Sequence, residues 1–192
     1  RLKYIPVGLG QNKFSQEWLL DSTGENISHK NKFYGEYTFH FWFWKNMLDK
    51  IPDNQWVGFC TYRRIWSSKR DITNNNNIYE TALSDIPIEW SDYDAIIGNK
   101  YHINEIKWIK IIKRGKIALL RNPLALFKSK QNIRFQFDMF HGNNVLDRAI
   151  ELLDDKDKQD FKNYVLNNSS FSPVNMFVCK SKIIMNEYYE TI

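Results

Sequence analysis

Two short segments carry side chains suited to holding an anion. The first is Asn26-Ile27-Ser28-His29-Lys30-Asn31. Ser28 reads as an N-cap, with a helix opening behind it at His29-Lys30-Asn31. A helix N-terminus offers free N–H groups and a partial positive charge, which suits phosphate, and Lys30 adds a full charge. Plain helix capping is the alternative for the same residues. The second segment is Thr61-Tyr62-Arg63-Arg64, directly after an apolar run. Ligands of open α/β sheets bind outside the carboxyl ends of strands. Adjacent guanidiniums there can fork onto phosphate oxygens. Salt bridges to surface carboxylates are the alternative.

Several elements must position these groups. Tyr34, Tyr37, Thr38, Phe41, Trp42, Trp44 and Leu48 recur near helical spacing, which predicts a long helix over 29–48. Glu36, His40 and Lys45 fall outside that apolar series, and Pro52-Asp53-Asn54 ends it. The runs at 55–61, 93–98 and 174–179 are apolar, short and bounded by turn residues, so they read as buried strands. Continuous apolar runs suit parallel strands covered on both faces. Residues 2–10 read as a strand fragment and glycine turn, 21–26 as turn chemistry and 73–77 as a polar loop. The basic stretch 102–116 reads as a flexible segment over the site. Residues 145–167 read as an amphipathic helix pair with Asp154-Asp155 between. Alternating helices and buried strands predict an α/β fold with one largely parallel sheet in a single domain.

Composition narrows the function classes. With 192 residues, 43% of them hydrophobic, the chain can bury a sizeable core. Its 16% aromatic content suits a packed core, or a sugar site lined in part by rings. The net charge of +5 is dispersed except at Lys107-Lys110-Lys113-Arg114-Lys116 and Lys128-Lys130. That pattern suits a solvated face or an anionic partner, and lacks the dense stripe of a nucleic-acid binder. Cys60 and Cys179 lie in apolar runs without zinc spacing and read as buried thiols. No run of 18 apolar residues or leader pattern is present, which predicts a cytoplasmic protein.

The order of the motifs is specific. Asn26-Ile27-Ser28-x-Lys30-Asn31 comes first, then Glu36-x-Thr38 in a helix ending Trp44-Lys45-Asn46, then Gly58-x-x-x-Tyr62-Arg63-Arg64. This series resembles the family called domain of unknown function 4422, which occurs in capsular and other surface-polysaccharide glycosyltransferases. Asn175-Met176-Phe177-Val178 resembles the family's Asn-Met-Phe-Ile strand, and the Asp94 strand has a counterpart. Two departures stand out. The family's His before Tyr-Arg-Arg is Thr61 here. The family's first strand, ahead of Tyr4, is largely absent and the end at Ile192 comes early, so a nucleotide-binding strand is expected to lie outside the chain.

The resemblance implies a GT-A-like, Rossmann-type sheet flanked by helices. It implies a glycosyltransferase catalytic domain over 1–192, cut short at both ends. Transferases of that type often open a helix with Ser-x-Ala-Arg-Asn and end a strand in Asp-x-Asp. Ser28-x-Lys30-Asn31 and Thr61-Tyr62-Arg63 stand in those places. The Asp-x-Asp carboxylates hold a divalent ion against the leaving diphosphate. Arginines in that place imply that the protein supplies the charge itself. No metal ligand or cofactor is therefore expected, with manganese or magnesium as the alternative.

On this reading Arg63, Arg64 and Lys30 hold the diphosphate of a nucleotide-diphosphate sugar. Asn26 and Asn31 orient the nucleotide or shape the loop, and Tyr62, Asp94 and Asn175 complete the substrate site. An inverting reaction needs a general base for the acceptor hydroxyl. Asp138, His141 and Asp147, near a break before the late helix, are the candidates, with a structural role as the alternative for each. The expected acceptor is a glycan or lipid-linked glycan, with room for peripheral contact at the inner membrane face and no nucleic acid. The rival reading is a non-catalytic carbohydrate-binding or scaffold module with a transferase-derived fold. A nucleic-acid-binding domain stands third and would show steep salt dependence.

Overall fold

The computed structural model describes residues 4–67, 81–103, 108–127 and 130–191. The polar loop read at 73–77 lies outside the described residues. The chain gathers into two compact units, one of residues 1–97 with 176–192 and one of residues 98–175.

In the first unit the strands Val57–Gly58, Phe177–Cys179 and Ala95–Ile97 form one sheet, with Phe177–Cys179 in the middle. The three strands fall inside the runs read from the sequence. Their pairing corrects the expectation of a parallel sheet: the middle strand is antiparallel to both neighbours, pairing Val57 with Cys179 and Ile97 with Phe177. The reason is topological. The middle strand comes from the far end of the chain and inserts between two earlier strands that run the other way. Burial on both faces holds at the middle strand, where the successive residues Val178 and Cys179 are both buried, and fails at the edge that follows Val57–Gly58. Phe59 is buried while Cys60 beside it is exposed, the period-2 alternation of a strand with one covered face. Cys179, on the middle strand, is buried as expected. A second, two-stranded sheet pairs Val7–Gly8 with Leu19–Leu20 in parallel.

The long helix expected over 29–48 is broken. A 3-10 turn at Ser28–Lys30 and a short helix at Asn31–Tyr34 precede Gly35, and the main helix then runs from Tyr37 to Asn46. Gly35 adopts φ 55°, ψ −133°, a conformation costly for any residue with a Cβ. The kink lets Asn31 Nδ2 donate to the Gly35 carbonyl (2.8 Å) and to Thr38 Oγ1 (3.0 Å). Thr38 Oγ1 in turn donates to Asp21 Oδ2 at 2.5 Å, and Asp21 Oδ1 accepts from the Gly10 amide at 2.8 Å. Asp21 and Thr38 are both fully buried.

Helix Tyr37–Asn46 packs against helix Lys182–Glu190 through Trp42, Phe43, Phe59, Met185 and Tyr189. His40 is buried in the same cluster, with its ring 4.8 Å from Phe59 and 5.9 Å from Phe177. Its Nδ1 has no hydrogen-bond partner among the described residues. Burial alone lowers its pKa from 6.5 to about 4, so the imidazole is held neutral.

The second unit is mostly helical: Trp108–Arg114, Lys116–Arg121, Ile133–His141, Val145–Glu151 and Asp155–Asn167. The last two are the helix pair read from the sequence, with Asp154 at the N-cap of the second. The segment expected to be a flexible cover over 102–116 is secondary structure where it is described. Tyr101–His102 pairs with Ser170–Phe171, and Ile103 and Ile111 are fully buried in a core with Phe135, Met139, Ile150 and Val165. Burying those two isoleucines is what holds the segment down. Asn132 caps helix Ile133–His141, accepting from the Phe135 amide at 2.9 Å.

Two stability measurements check these packing arguments. Asp21→Ala leaves the buried Gly10 amide unanswered and Thr38 Oγ1 with only the Gly35 carbonyl (2.9 Å) to take its proton, so urea unfolding should show a loss of about 2 kcal/mol; a loss below about 1 kcal/mol would mean the carboxylate is dispensable. For His40 the folded pKa lies below the unfolded one. Its contribution is therefore complete above about pH 6.5 and is lost as pH falls toward 4, by about 3 kcal/mol at 1.36 kcal/mol per pH unit. His40→Phe should flatten the stability–pH curve over that window by about this amount, and an unchanged slope would contradict the assignment.

Candidate functional site

The first anion segment is held by Asn26. Its Oδ1 accepts from the Ser28 amide (3.2 Å) and the Ser28 hydroxyl (2.8 Å), while Nδ2 donates to the Gly24 (2.9 Å) and Ser22 (3.3 Å) carbonyls. Ser28 is therefore not the cap expected. It is the buried first residue of the 3-10 turn and gives its proton back to Asn26. Asn26 spends both polar atoms on its own loop. Asn31 Nδ2 is spent on Gly35 and Thr38, and its side chain lies about 3.1 Å from where a Cβ on Gly10 would sit. Of the two roles expected for these asparagines, their bonds serve loop shaping. The following helix of four residues is too short to carry much of a dipole, so anion affinity here falls to Lys30. Lys30 is exposed and makes no ion pair among the described residues.

The second segment is a tight turn. The Phe59 amide continues the sheet by donating to the Phe177 carbonyl at 2.8 Å, and Trp66 Nε1 donates to the Phe59 carbonyl at 2.9 Å. Thr61 and Arg64 then exchange backbone hydrogen bonds of 3.1 and 3.2 Å, with Tyr62 and Arg63 at the tip. Tyr62 is 87% exposed, and the Arg63 guanidinium lies 4.8 Å from its ring centroid. Arg63 and Arg64 are both exposed, and neither pairs with a carboxylate among the described residues. The salt-bridge alternative is thus not what occupies them there.

A carboxylate expected from the sequence as a possible partner of one arginine, Glu36, lies within electrostatic reach of this turn. Half-buried Glu36 has its pKa raised chiefly by burial, with the charge of Arg64 working against that rise. Glu36 in turn helps to push the phenols of Tyr37 and Tyr188 upward, after burial has done most of that work. Asp94 stands apart, its exposed carboxylate 4.0 Å from Lys180 Nζ. Among the described residues no three His, Cys, Asp or Glu side chains gather as metal ligands.

In the second unit, Asp138 and Asp147 come together across Arg134, a residue the sequence did not single out. Arg134 Nη2 donates to Asp147 Oδ2 at 2.6 Å, and its Nε lies 3.9 Å from Asp138 Oδ2. Asp138 is buried, and its Oδ1 has no hydrogen-bond partner among the described residues. Burial raises the Asp138 pKa, opposed by Arg134 and Arg121 and reinforced by Asp147. It lines a cavity of about 240 Å³ together with Arg121, Asn132, Arg134 and Phe135. His141, one turn on, is exposed with its ring 4.4 Å from that of Phe137. Gly142 (φ 95°) and Asn144 (φ 65°) form the break before the late helix. Asn175 has a buried side-chain NH2 group without a partner among the described residues.

The arginine turn, Lys30 and Glu36 thus belong to the first unit, and Asp138, Asp147, His141 and Asn175 to the second. No described helix is long and apolar enough to cross a membrane.

Comparison with known proteins adds three findings. No curated protein matches the chain. The apo structure of WbbM, a bifunctional glycosyltransferase, is similar at 23% identity and a TM-score of 0.45, over 90% of this chain and 29% of that one. The chain therefore spans under a third of that protein's length. The model of the family described as Domain of unknown function (DUF4422) matches residues 1–192, the whole of the sequence. The chain belongs to the DUF4422 family.

Proposed function

We propose that this chain takes a sugar from a nucleotide-diphosphate donor and passes it to a growing capsular or other surface glycan. The observation that carries this reading is the arginine turn: two adjacent, exposed guanidiniums at the end of a core strand, free of carboxylate partners among the described residues. Unpaired arginines in that position suit bidentate recognition of phosphate oxygens. The motif series shared with a family found in surface-polysaccharide glycosyltransferases points the same way.

Arg63 and Arg64 bind the donor diphosphate, and Lys30 contributes a third positive charge. They neutralise the leaving nucleoside diphosphate as its bond to the anomeric carbon breaks, a role a divalent ion plays elsewhere. The acceptor hydroxyl attacks that carbon and its proton passes to a carboxylate. Of the three base candidates, Asp138 suits this best. Asp147 is committed to Arg134 and the His141 ring packs at a tilt against Phe137, whereas Asp138 has an oxygen without a partner among the described residues and a raised affinity for a proton. The reaction belongs on the cytoplasmic side, where nucleotide sugars are supplied.

Donor binding, read by calorimetry with a panel of nucleotide-diphosphate sugars, should weaken about 10- to 100-fold in Arg63→Ala and Arg64→Ala, from about 1.5–3 kcal/mol per charged hydrogen bond. A lysine at either position should restore only part of it, and Lys30→Ala should fall short of the arginine variants. Binding should persist in a strong chelator. Parent-like affinity in both alanine variants defeats the proposal, and loss of binding with chelator defeats its metal-free step.

Asp138→Asn should keep donor affinity and lose about 10²-fold or more in transfer rate. Because the base must be ionised, the parent rate should fall as pH drops through the raised range of Asp138, and the variant's residual rate should lack that limb. An unchanged rate removes Asp138 from the chemistry. Donor binding with neither transfer nor donor hydrolysis in the parent favours the carbohydrate-binding module.

A further inference from the structure

The second unit presents an apolar face with a cationic border, which the site described above does not use. Helices Trp108–Arg114 and Lys116–Arg121 and the 3-10 turn Pro123–Leu126 turn Ile111, Ala118 and Ala125 into the core. The opposite side carries Ile109, Ile112, Ile117, Leu120, Leu124 and Phe127, all between 58% and 81% exposed. Six large apolar side chains this exposed within a span of 19 residues (109 to 127) are unusual for a surface that stays solvated.

The charge of the same stretch selects what covers it. From residue 106 to residue 137 the sequence holds nine Lys and Arg and no Asp or Glu. Lys113, Lys116 and Lys130 are exposed and form no ion pair among the described residues. A second copy of this face would set cation against cation, so like charge opposes self-association here. An anionic surface with an apolar interior answers both features: aliphatic side chains enter the acyl boundary while lysines meet the headgroups.

We propose that the face formed by residues 109–127 docks the protein on an anionic lipid bilayer, lying in the interface without crossing it. This proposal is independent of the sugar-transfer reading, since it uses none of the residues assigned there. It puts the chain at the surface where a lipid-linked acceptor would be held.

The test is sedimentation of the purified chain with phosphatidylcholine vesicles, with and without phosphatidylglycerol. Partitioning to the anionic vesicles should exceed that to the neutral ones by at least about tenfold and should weaken as salt rises. Leu120→Glu with Phe127→Glu, two exposed positions, should abolish it, and Lys113→Glu with Lys116→Glu should remove the preference for anionic lipid. Phe33→Glu, 81% exposed in the first unit, should bind like the parent. Thermal unfolding midpoints near the parent's establish that each variant is folded. Equal affinity for both vesicle types, no vesicle binding, or a dimer lost in Leu120→Glu without lipid binding would each overturn the proposal.

Discussion

Asp21 is a carboxylate with no contact with water, and a buried charge must be answered by donors close at hand. Its donors are the Gly10 amide and the Thr38 hydroxyl, so the early glycine turn, the turn at 21–26 and the main helix are tied at one point. Each partner then loses freedom. Gly10 sits at φ 74° with Asn31 packed close, which leaves no room for a side chain. Thr38 also accepts from Asn31, which holds the Gly35 carbonyl and so fixes the kink. The loop that presents Lys30 hangs from this network.

A second set of contacts locks the other side of that loop. Asn46 accepts from the Glu25 amide and donates to the Glu25 and Trp42 carbonyls, and a Cβ on Gly24 would collide with its side chain. Trp42 Nε1 donates to Thr23 Oγ1. The polar residues of the motif series are thus largely internal fastenings. The groups left free to meet a ligand are the cations, Lys30, Arg63 and Arg64, at the ends of well-anchored turns. That division is physically sensible: an anion site needs charge without partners, and such charge keeps its geometry only when the backbone beneath it is held elsewhere.

The second unit treats its charges differently. Arg134 reaches two carboxylates and satisfies one of them well, leaving Asp138 with a longer contact, a buried free oxygen and a raised pKa. Burial, which the longer contact to Arg134 only partly offsets, raises the proton affinity of Asp138.

Much of this was determined by the sequence alone. The three strand positions, the late helix pair split at Asp154 and the anchored apolar cores follow from local patterns of side-chain polarity, which act over a few residues. The motif order marked the family, and adjacent arginines after an apolar run marked the turn proposed to hold the donor diphosphate. Other features depend on residues far apart in the chain, and only the tertiary structure decided them. Phe177–Cys179 inserts between two earlier strands, so the pairing is antiparallel although each run looked suited to a parallel sheet. Gly35 breaks a helix whose apolar spacing continues through it, because Asn31, Thr38 and Asp21 reward the kink. Asp21 read as an ordinary turn residue and Arg134 as nothing in particular. Burial and the charges of distant neighbours give these residues their character, and no window of sequence contains those neighbours.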